Sequence, residues 1–407
     1  MKIYFCIDDE TVDEELIEIF SLKDNARDIR YSKSKKTKVI NFVGIIIKEK
    51  AILISMPKNY ISFNNKAILT KEDIKMIFHL LLKESSLIDS NTQAQDDYST
   101  SYPFNDFLSV YDYYNKYGLY VIHNNYYKKG SQGKISWKET MRKSEKIISN
   151  NSIIFNPLIT KKSNYDTNFI TDCMIYIINS TIDKFSYLIE LPRISKKTNN
   201  VFNNYNNDYI ISKLREISST LFKDTERTLI HHMISFFSNY SGGDGHILKH
   251  YNFDAIWENI VEKYLNDYFK NYTWEDNQLY LNFHLEKNTE SKKFNKALFN
   301  VDKINENYNI QPDHYYISNN VQYIFDSKYT KKLKGIDYKQ IVYYYFLKNK
   351  VIGDTINTLF IPTYGENKFQ KQFELKEEFY HEQLEKVIIY KYELNIKMAI
   401  KNYLNIQ

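Results

Sequence analysis

Apolar and polar residues alternate with different periods along the chain. Residues 39–47 and 51–56 are two apolar runs flanking Lys48-Glu49-Lys50, a pattern that predicts a β-hairpin. From Thr70 to Leu87 the apolar residues recur with a helical period, so we predict an amphipathic helix with Thr70 as its N-cap. The N-terminal part of the chain is therefore expected to be rich in β-structure.

Helical periodicity becomes dominant further along the chain. It recurs in residues 105–118, 166–190 and 208–240. A length of 407 residues suggests two or three domains, at roughly 150 residues each. The predicted segments are a β-rich N-terminal domain (1–130), a helical middle region (131–214) and a C-terminal domain mixing strands and helices (215–407). The predicted fold class is α/β, or α+β for the chain as a whole.

A further amphipathic helix is predicted from Asn252 to Phe269. Its buried stripe would consist of Phe253, Ile256, Trp257, Ile260, Val261, Tyr264 and Tyr268. At about 100° per residue, Glu258 falls on the rim of this stripe and Glu262 further toward the back. A rim position can face a partly buried site, so Glu258 is preferred as a candidate acid. Both could instead be ordinary surface glutamates.

A second hairpin is predicted near the C-terminal end, with Asp313 to Ile317 and Val321 to Tyr329 as its strands. Residues i and i+2 of a strand share a face, so Asp326 and Lys328 point the same way. The hairpin can bring the carboxylates of Asp313 and Asp326 together at one end. Two carboxylates suit Mg²⁺, and the Lys328 ammonium beside them could orient water or offset charge on a phosphoryl group. The alternative is a solvated edge strand with a surface ion pair.

A helix is predicted after this hairpin, from Gly335 to Leu347. Gln340 and Tyr344 are four residues apart and would share one face of that helix. They are therefore added to the candidate site.

Composition narrows the classes of protein without naming a function. The net charge of +5 is compatible with a nucleic-acid partner but does not require one. The two cysteines, Cys6 and Cys173, indicate neither a disulfide framework nor a zinc site, which favours a cytoplasmic protein. No apolar run reaches the roughly 18 residues of a membrane span. The chain has no Gly-x-x-x-x-Gly-Lys-Ser/Thr motif for nucleoside triphosphates.

Several of these motifs together resemble a known family. Pro312-Asp313 followed by Asp326-Ser327-Lys328 resembles the centre of PD-(D/E)xK nucleases, and Gln340-x-x-x-Tyr344 resembles the pattern that follows it in RecB-like and McrC-like members. Over most of its length the chain is similar to the LlaJI-type restriction endonucleases, which are McrC-like. Further islands of similarity are Phe42-Val43-Gly44-Ile45 with Pro57-Lys58, Gly133 to Thr140, and Phe253-x-x-x-Trp257-Glu258. The chain departs from the family pattern at Ser136, where Asn is usual.

The resemblance implies a restriction-endonuclease-like core within residues 215–407, with Asp313, Asp326 and Glu258 as Mg²⁺ ligands. It implies a hydrolase of the type II-like site-specific deoxyribonuclease class, acting on double-stranded DNA. It also implies an McrB-like AAA+ GTPase partner, docked on the N-terminal part, within a homo- or hetero-oligomer. Two alternatives remain open: a RecB-like repair exonuclease, and a non-cleaving adaptor that activates an AAA+ ring.

Overall fold

The fold is described from a computed structural model. It covers residues 2–24, 27–48, 51–62, 69–88, 97–149, 152–166, 169–195, 206–240, 245–288, 293–304, 307–333, 335, 337–379 and 386–406. Of the predicted features, the turn at Glu49 and Lys50 lies outside these residues.

Helices and strands are interspersed along the whole chain. The helices are α1 (Glu14–Phe20), α2 (Lys71–Ile88), α3 (Phe104–Tyr117), α4 (Trp137–Lys143), α5 (Phe169–Lys184), α6 (Asn207–Ser218), α7 (Asp224–Asn239), α8 (Phe253–Tyr268), α9 (Tyr338–Leu347) and α10 (Ile396–Leu404). The strands of the first half are β1 (Lys2–Ile7), β2 (Ile29–Ser32), β3 (Thr37–Ile40), β4 (Val43–Lys48), β5 (Ala51–Met56), β6 (Tyr98–Thr100), β7 (Ile122–Lys129), β8 (Lys134–Ile135), β9 (Glu145–Ser149), β10 (Ser152–Asn156) and β11 (Ile159–Asp166). Those of the second half are β12 (His246–His250), β13 (Phe269–Glu275), β14 (Gln278–Phe283), β15 (Phe299–Asn300), β16 (Asn309–Ile310), β17 (His314–Ser318), β18 (Val321–Ser327), β19 (Thr355–Thr363), β20 (Lys368–Glu374) and β21 (Ile388–Asn395).

The chain forms two compact units, and the first is assembled from both ends of the sequence. Residues 1–100 and 243–407 make the first unit, and residues 101–242 make the second. These boundaries differ from the three consecutive segments expected from the sequence, because a strand from the second half of the chain completes the N-terminal sheet.

That N-terminal sheet has the strand order β1-β5-β4-β12-β6. β1 and β5 are parallel and the other pairs are antiparallel. β12 therefore lies between two strands of the first hundred residues. The close pairing of β4 with β12 needs a residue without a side chain, since a Cβ on Gly44 would lie 2.2 Å from the carbonyl oxygen of Leu248.

The other five-stranded sheet among the described residues of this unit has the order β17-β18-β19-β21-β20 and is mixed. β18 pairs antiparallel with β17 and parallel with β19, so it is an interior strand. On one face Ile324 packs with Tyr343 and Leu347 of α9. On the opposite face Phe325 contacts Phe360, whose carbonyl oxygen accepts a hydrogen bond of 3.3 Å from the indole of Trp257 in α8. The sheet is thus covered by a helix on each side.

The second unit combines helices with short antiparallel strands. Helices α3, α5, α6 and α7 pack against one another. β7, β11 and β8 form a small sheet, and β9 and β10 form a hairpin. The segment 131–214, expected to be helical, therefore also contains strands. Its Ile-rich and polar runs are too short to separate strand from helix by periodicity alone.

The stretch 208–240, predicted as one helix, is two helices in the structure. α6 ends at Ser218 and α7 begins at Asp224. The hydroxyls of Ser219 and Thr220 donate to the carbonyl oxygens of Glu216 and Ile217, both at 2.7 Å. Such side-chain bonds compete with the helical backbone pattern and favour a break.

Several other predictions of local structure are confirmed. β4 and β5 form the expected hairpin, and α8 buries most of its predicted stripe. Thr70 precedes α2 and its Oγ1 accepts a hydrogen bond of 3.2 Å from the backbone N–H of Asp73. Helices and sheets together agree with the predicted α+β class. Within the described residues, no helix combines the length and the apolar character needed to cross a membrane.

Candidate active site

The site is built on the hairpin of β17 and β18. Asn319 and Asn320 both have positive φ, at 51° and 62°, the turn geometry that matches the twist of a two-residue hairpin. His314 pairs with Phe325 in this register, so Asp313 lies opposite Asp326 at the end of the hairpin. The backbone N–H of Ser327 donates to Asp313 Oδ2 at 3.0 Å and holds that carboxylate in place.

The Asp326 side chain is fully buried. Burial alone would raise its pKa, but the ammonium groups of Lys328 and Lys339 outweigh burial and hold the pKa of Asp326 below its ordinary value. Lys328 Nζ forms a close ion pair with Asp326 Oδ2 and a second one, at 3.4 Å, with Asp337 Oδ2. Asp326 is therefore a stable carboxylate in a nearly dry position.

Asp313 behaves in the opposite way. Burial is the largest cause, and the negative charges of Asp326 and Glu258 add to it, so that the pKa of Asp313 is raised to about 7. Facing carboxylates with strongly perturbed pKa values are a common property of functional sites. The raised pKa of Asp313 indicates that the nearby positive charge does not fully offset burial and the two neighbouring carboxylates.

Lys339, which the sequence motifs do not single out, contacts both acids. Its Nζ lies 3.4 Å from Asp326 Oδ1 and 3.9 Å from Asp313 Oδ1. One ammonium group therefore reaches both carboxylates, so the two acids are close enough to share a cation. Lys339 is in the first turn of α9, where Asp337 caps the helix by accepting from the backbone N–H of Gln340 at 3.2 Å. The only signal in the sequence is its position immediately before Gln340.

Glu258 is half-buried beside these residues on α8, as its rim position predicted. Its Oε2 forms an ion pair of 2.6 Å with Lys296, a second lysine that sequence reasoning missed. Glu262 is also half-buried, and burial raises its pKa. In the part of the chain that the structure describes, no group of three or more His, Cys, Asp or Glu side chains is arranged to hold a metal ion. The donor set that the structure brings together is thus Asp313 and Asp326, with Glu258 near enough to influence Asp313.

Neither Gln340 nor Tyr344 lines the cleft that contains Asp313, Lys328 and Lys339. The Gln340 side chain is fully buried, and neither of its amide atoms has a hydrogen-bond partner among the described residues. Tyr344 lines a different cleft, of about 630 Å³, which also contains Gly353 and Thr355. Thr355 pairs with Gln322 near the start of β18, whereas Asp326 is near its end. A helix rises about 1.5 Å per residue, so four residues carry Tyr344 away from the end of the sheet that bears the acids.

His314 supports the hairpin from within. It is fully buried, and its Nε2 lies 2.8 Å from Ser327 Oγ. Burial lowers the pKa of His314 to about 3, so the imidazole is neutral. The side chain and the backbone of Ser327 thereby link His314 to Asp313.

An open cleft of about 540 Å³ gives solvent access to Asp313 and Glu258. Its walls are Asp254, Glu258, Asp313, Ser327, Lys328, Tyr329, Thr330, Lys332, Leu333 and Lys339. The segment that follows β5 contacts a wall of this cleft, since the backbone N–H of Lys58 donates to Tyr329 Oη at 2.7 Å. The Asn59 amide also donates to the carbonyl oxygen of Pro362 at 2.8 Å. The Pro57-Lys58 island of the sequence is therefore adjacent to the end of β18.

The raised pKa of Asp313 makes a prediction about stability. A carboxyl group whose folded pKa is above its unfolded value binds more protons in the folded state, so the free energy of unfolding falls as pH rises toward about 7. We expect Asp313→Asn to raise the free energy of unfolding by on the order of 2 kcal/mol at about pH 8. Below about pH 4 the gain should vanish. Denaturant unfolding at the two pH values, in the presence of a chelator, measures the gain and its loss.

The matched control is Asp302→Asn, a loop carboxylate that, like Asp313, accepts a backbone N–H, from Ile304 at 2.9 Å. It should change stability little at either pH. A destabilised Asp313→Asn at pH 8 would contradict the electrostatic account of this site.

Comparison with known proteins yields little. No protein-family model matches the sequence, and no curated protein matches it. One solved structure that matches is described as a refined half-complex from a tetradecameric assembly of Thermococcus gammatolerans McrB AAA+ hexamers with bound McrC. The alignment covers 100% of this chain and 99% of that chain, with 12% sequence identity and a TM-score of 0.37. A similarity this weak establishes neither a shared fold nor a shared function.

Proposed function

We propose that this chain is the nuclease subunit of a LlaJI-like or McrBC-like restriction system. It would hydrolyse phosphodiester bonds of double-stranded DNA with Mg²⁺, as a site-specific endonuclease working with an AAA+ GTPase. The observation that carries the proposal is the meeting of Asp313, Asp326 and Lys328 at one end of a hairpin, where Asp313 and Lys328 line an open cleft and Asp326 is buried beside them.

Two facts speak against the alternative of a solvated edge strand with a surface ion pair. β18 is an interior strand, and Asp326 is fully buried. Burying charged groups is unfavourable unless they are paired, and a second carboxylate facing Asp326 adds to the penalty. Such an arrangement is typical of a site that binds a cation.

The residues divide the chemistry between them. Asp313 and Asp326 offer the hard oxygen ligands that Mg²⁺ prefers, and Glu258 is the nearest additional acid. When bound, Mg²⁺ would supply positive charge against the scissile phosphate and acidify water. The Lys328 ammonium, held by Asp326 and Asp337, would offset the charge that develops on the phosphoryl oxygens.

The proposal of a partner protein rests on the amino-acid sequence. The chain has no Walker A motif, and a net charge of +5 supports only weak, salt-sensitive binding to the DNA backbone. Specific recognition and motor activity would therefore come from a GTP-hydrolysing AAA+ subunit, as the resemblance to McrC-like proteins implies.

Replacement of Lys328 tests the nuclease assignment. Lys328→Met keeps the length of the side chain and removes the charge, so we expect cleavage to slow by about 10²–10³-fold without weaker Mg²⁺ binding. The matched control is Lys332→Met, which removes the same charge from the wall of the same cleft. Cleavage of long DNA should be measured for both variants with Mg²⁺ and GTP, with and without AAA+ GTPases encoded beside the gene.

Full activity of Lys328→Met would contradict the nuclease assignment and favour an adaptor that only activates the ring. Efficient sequence-specific cutting by the purified chain with Mg²⁺ alone would leave the nuclease assignment intact but contradict the dependence on a partner. Degradation from DNA ends, with closed circles untouched, would favour the repair exonuclease.

A further inference from the structure

Lys339 holds an unusual position in the candidate site. Its ammonium contacts one oxygen of each acid, Oδ1 of Asp326 at 3.4 Å and Oδ1 of Asp313 at 3.9 Å. Its side chain remains 49% exposed, whereas Asp326 is fully buried. The ammonium thus lies where solvent meets the carboxylate pair.

The other oxygen of each acid is already engaged, Oδ2 of Asp326 by Lys328 and Oδ2 of Asp313 by the backbone N–H of Ser327. A divalent cation bound by the two acids would therefore compete with Lys339 for the Oδ1 oxygens. Two cations close to the same oxygens repel each other, and this repulsion is stronger where the surrounding protein excludes water, as it does around Asp326. Binding of a metal ion and the contact of Lys339 with the acids therefore oppose each other.

We infer that Lys339 is a built-in counter-cation, which occupies the carboxylate pair of Asp313 and Asp326 until a divalent ion displaces it. The inference rests on the proposed function, because it takes this pair as the metal site. Lys339 is a positioning residue in this sense: it keeps two facing acids compatible with a folded, metal-free site and sets the concentration of metal at which the site fills.

The structure distinguishes Lys339 from Lys328 in this role. Lys328 is also held by Asp337, at 3.4 Å, and its side chain is 27% exposed, so it has a second anchor when Asp326 binds another cation. The ammonium of Lys339 has another possible contact, the ring of Tyr343, whose centroid lies 5.3 Å away. That ring is fixed in place because Tyr343 Oη donates to the carbonyl oxygen of Gln311 at 2.6 Å. An ammonium that leaves the acids can therefore remain over an aromatic face.

The test is the affinity of the purified full-length chain for Mg²⁺ alone, measured by titration calorimetry at about pH 8.5, above the pKa of both acids. Loss of a partly exposed ion pair with two contacts should tighten Mg²⁺ binding by about three- to tenfold in Lys339→Met. Lys332→Met removes the same charge from the same cleft, and it should change the affinity by less than about twofold. Lys339→Gln provides a second, more polar variant if Lys339→Met folds poorly.

A second readout is the rise in Tm on addition of Mg²⁺. It should be larger in Lys339→Met than in wild type, because the metal-free variant lacks its counter-cation and the metal restores one. Affinity in Lys339→Met equal to or weaker than wild type would overturn the inference while leaving the metal site in place. Equal tightening in Lys332→Met would overturn it as well, since a general charge effect would then explain the result. Absence of Mg²⁺ binding in wild type and variants alike would instead overturn the proposed metal site, and with it the inference.

Discussion

Asp326→Asn is expected to reduce DNA cleavage by at least about a thousandfold and to weaken Mg²⁺ binding, while the protein stays folded. The substitution keeps the shape of a side chain that is fully buried, so it should open no cavity. Of the two facing acids, it removes the one whose pKa the structure holds below its ordinary value. A neutral amide cannot replace it as an anionic ligand.

The control for this variant is Asp354→Asn, at the opposite end of the same sheet. The Asp354 carboxylate accepts a hydrogen bond of 2.8 Å from Tyr272 Oη, and it lines the other cleft. Cleavage of supercoiled DNA and the Mg²⁺ affinity should be unchanged in Asp354→Asn. Circular dichroism and thermal unfolding establish that both variants are folded. Cleavage by Asp326→Asn at the wild-type rate would refute the proposed catalytic role of Asp326.

Deletion of residues 1–100 is expected to unfold the rest of the first unit as well, although the sequence alone suggested an independent N-terminal domain. β12 would lose both of its neighbours, β4 and β6. The buried Lys249 ammonium would lose Asp28, its partner at 2.7 Å, and breaking a buried ion pair from one side costs about 3–5 kcal/mol. Such a loss is comparable to much of the stability of a typical domain.

The control deletion removes the second unit instead. The second unit is inserted between residues 100 and 243, and Thr100 pairs directly with Leu248. The two points of insertion are therefore close together, at the pairing of β6 with β12. Replacing residues 101–242 with a flexible linker of about six residues should therefore leave the first unit folded. Thermal unfolding and limited proteolysis of both deletion variants distinguish the cases. A stable, cooperatively folded chain lacking residues 1–100 would contradict the assembly described here.

Local patterns were sufficient for much of the secondary structure around the site. The hairpin of β17 and β18 was predictable because two apolar runs flank Asn319 and Asn320, residues that tolerate positive φ. The buried face of α8 was predictable from its helical period, and with it the rim position of Glu258. Since strand residues two apart share a face, the sequence also implied that Asp326 and Lys328 lie together. These relations depend only on backbone geometry over a few residues.

The tertiary structure decided which groups meet from distant parts of the chain. Lys296 and Lys339 belong to no recognisable motif, and only packing brings them to Glu258 and to the two aspartates. The sequence could not predict that Tyr344 lies apart from the acids, because two residues that share a helix face do not reveal what that face packs against. The largest difference is the place of β12, which completes a sheet begun some two hundred residues earlier. The sequence by itself determined the local elements and the acid-lysine motif, since those follow from short-range periodicity. The pairing of strands, the charge balance of the site and the division into two units come from long-range contacts that no local pattern encodes.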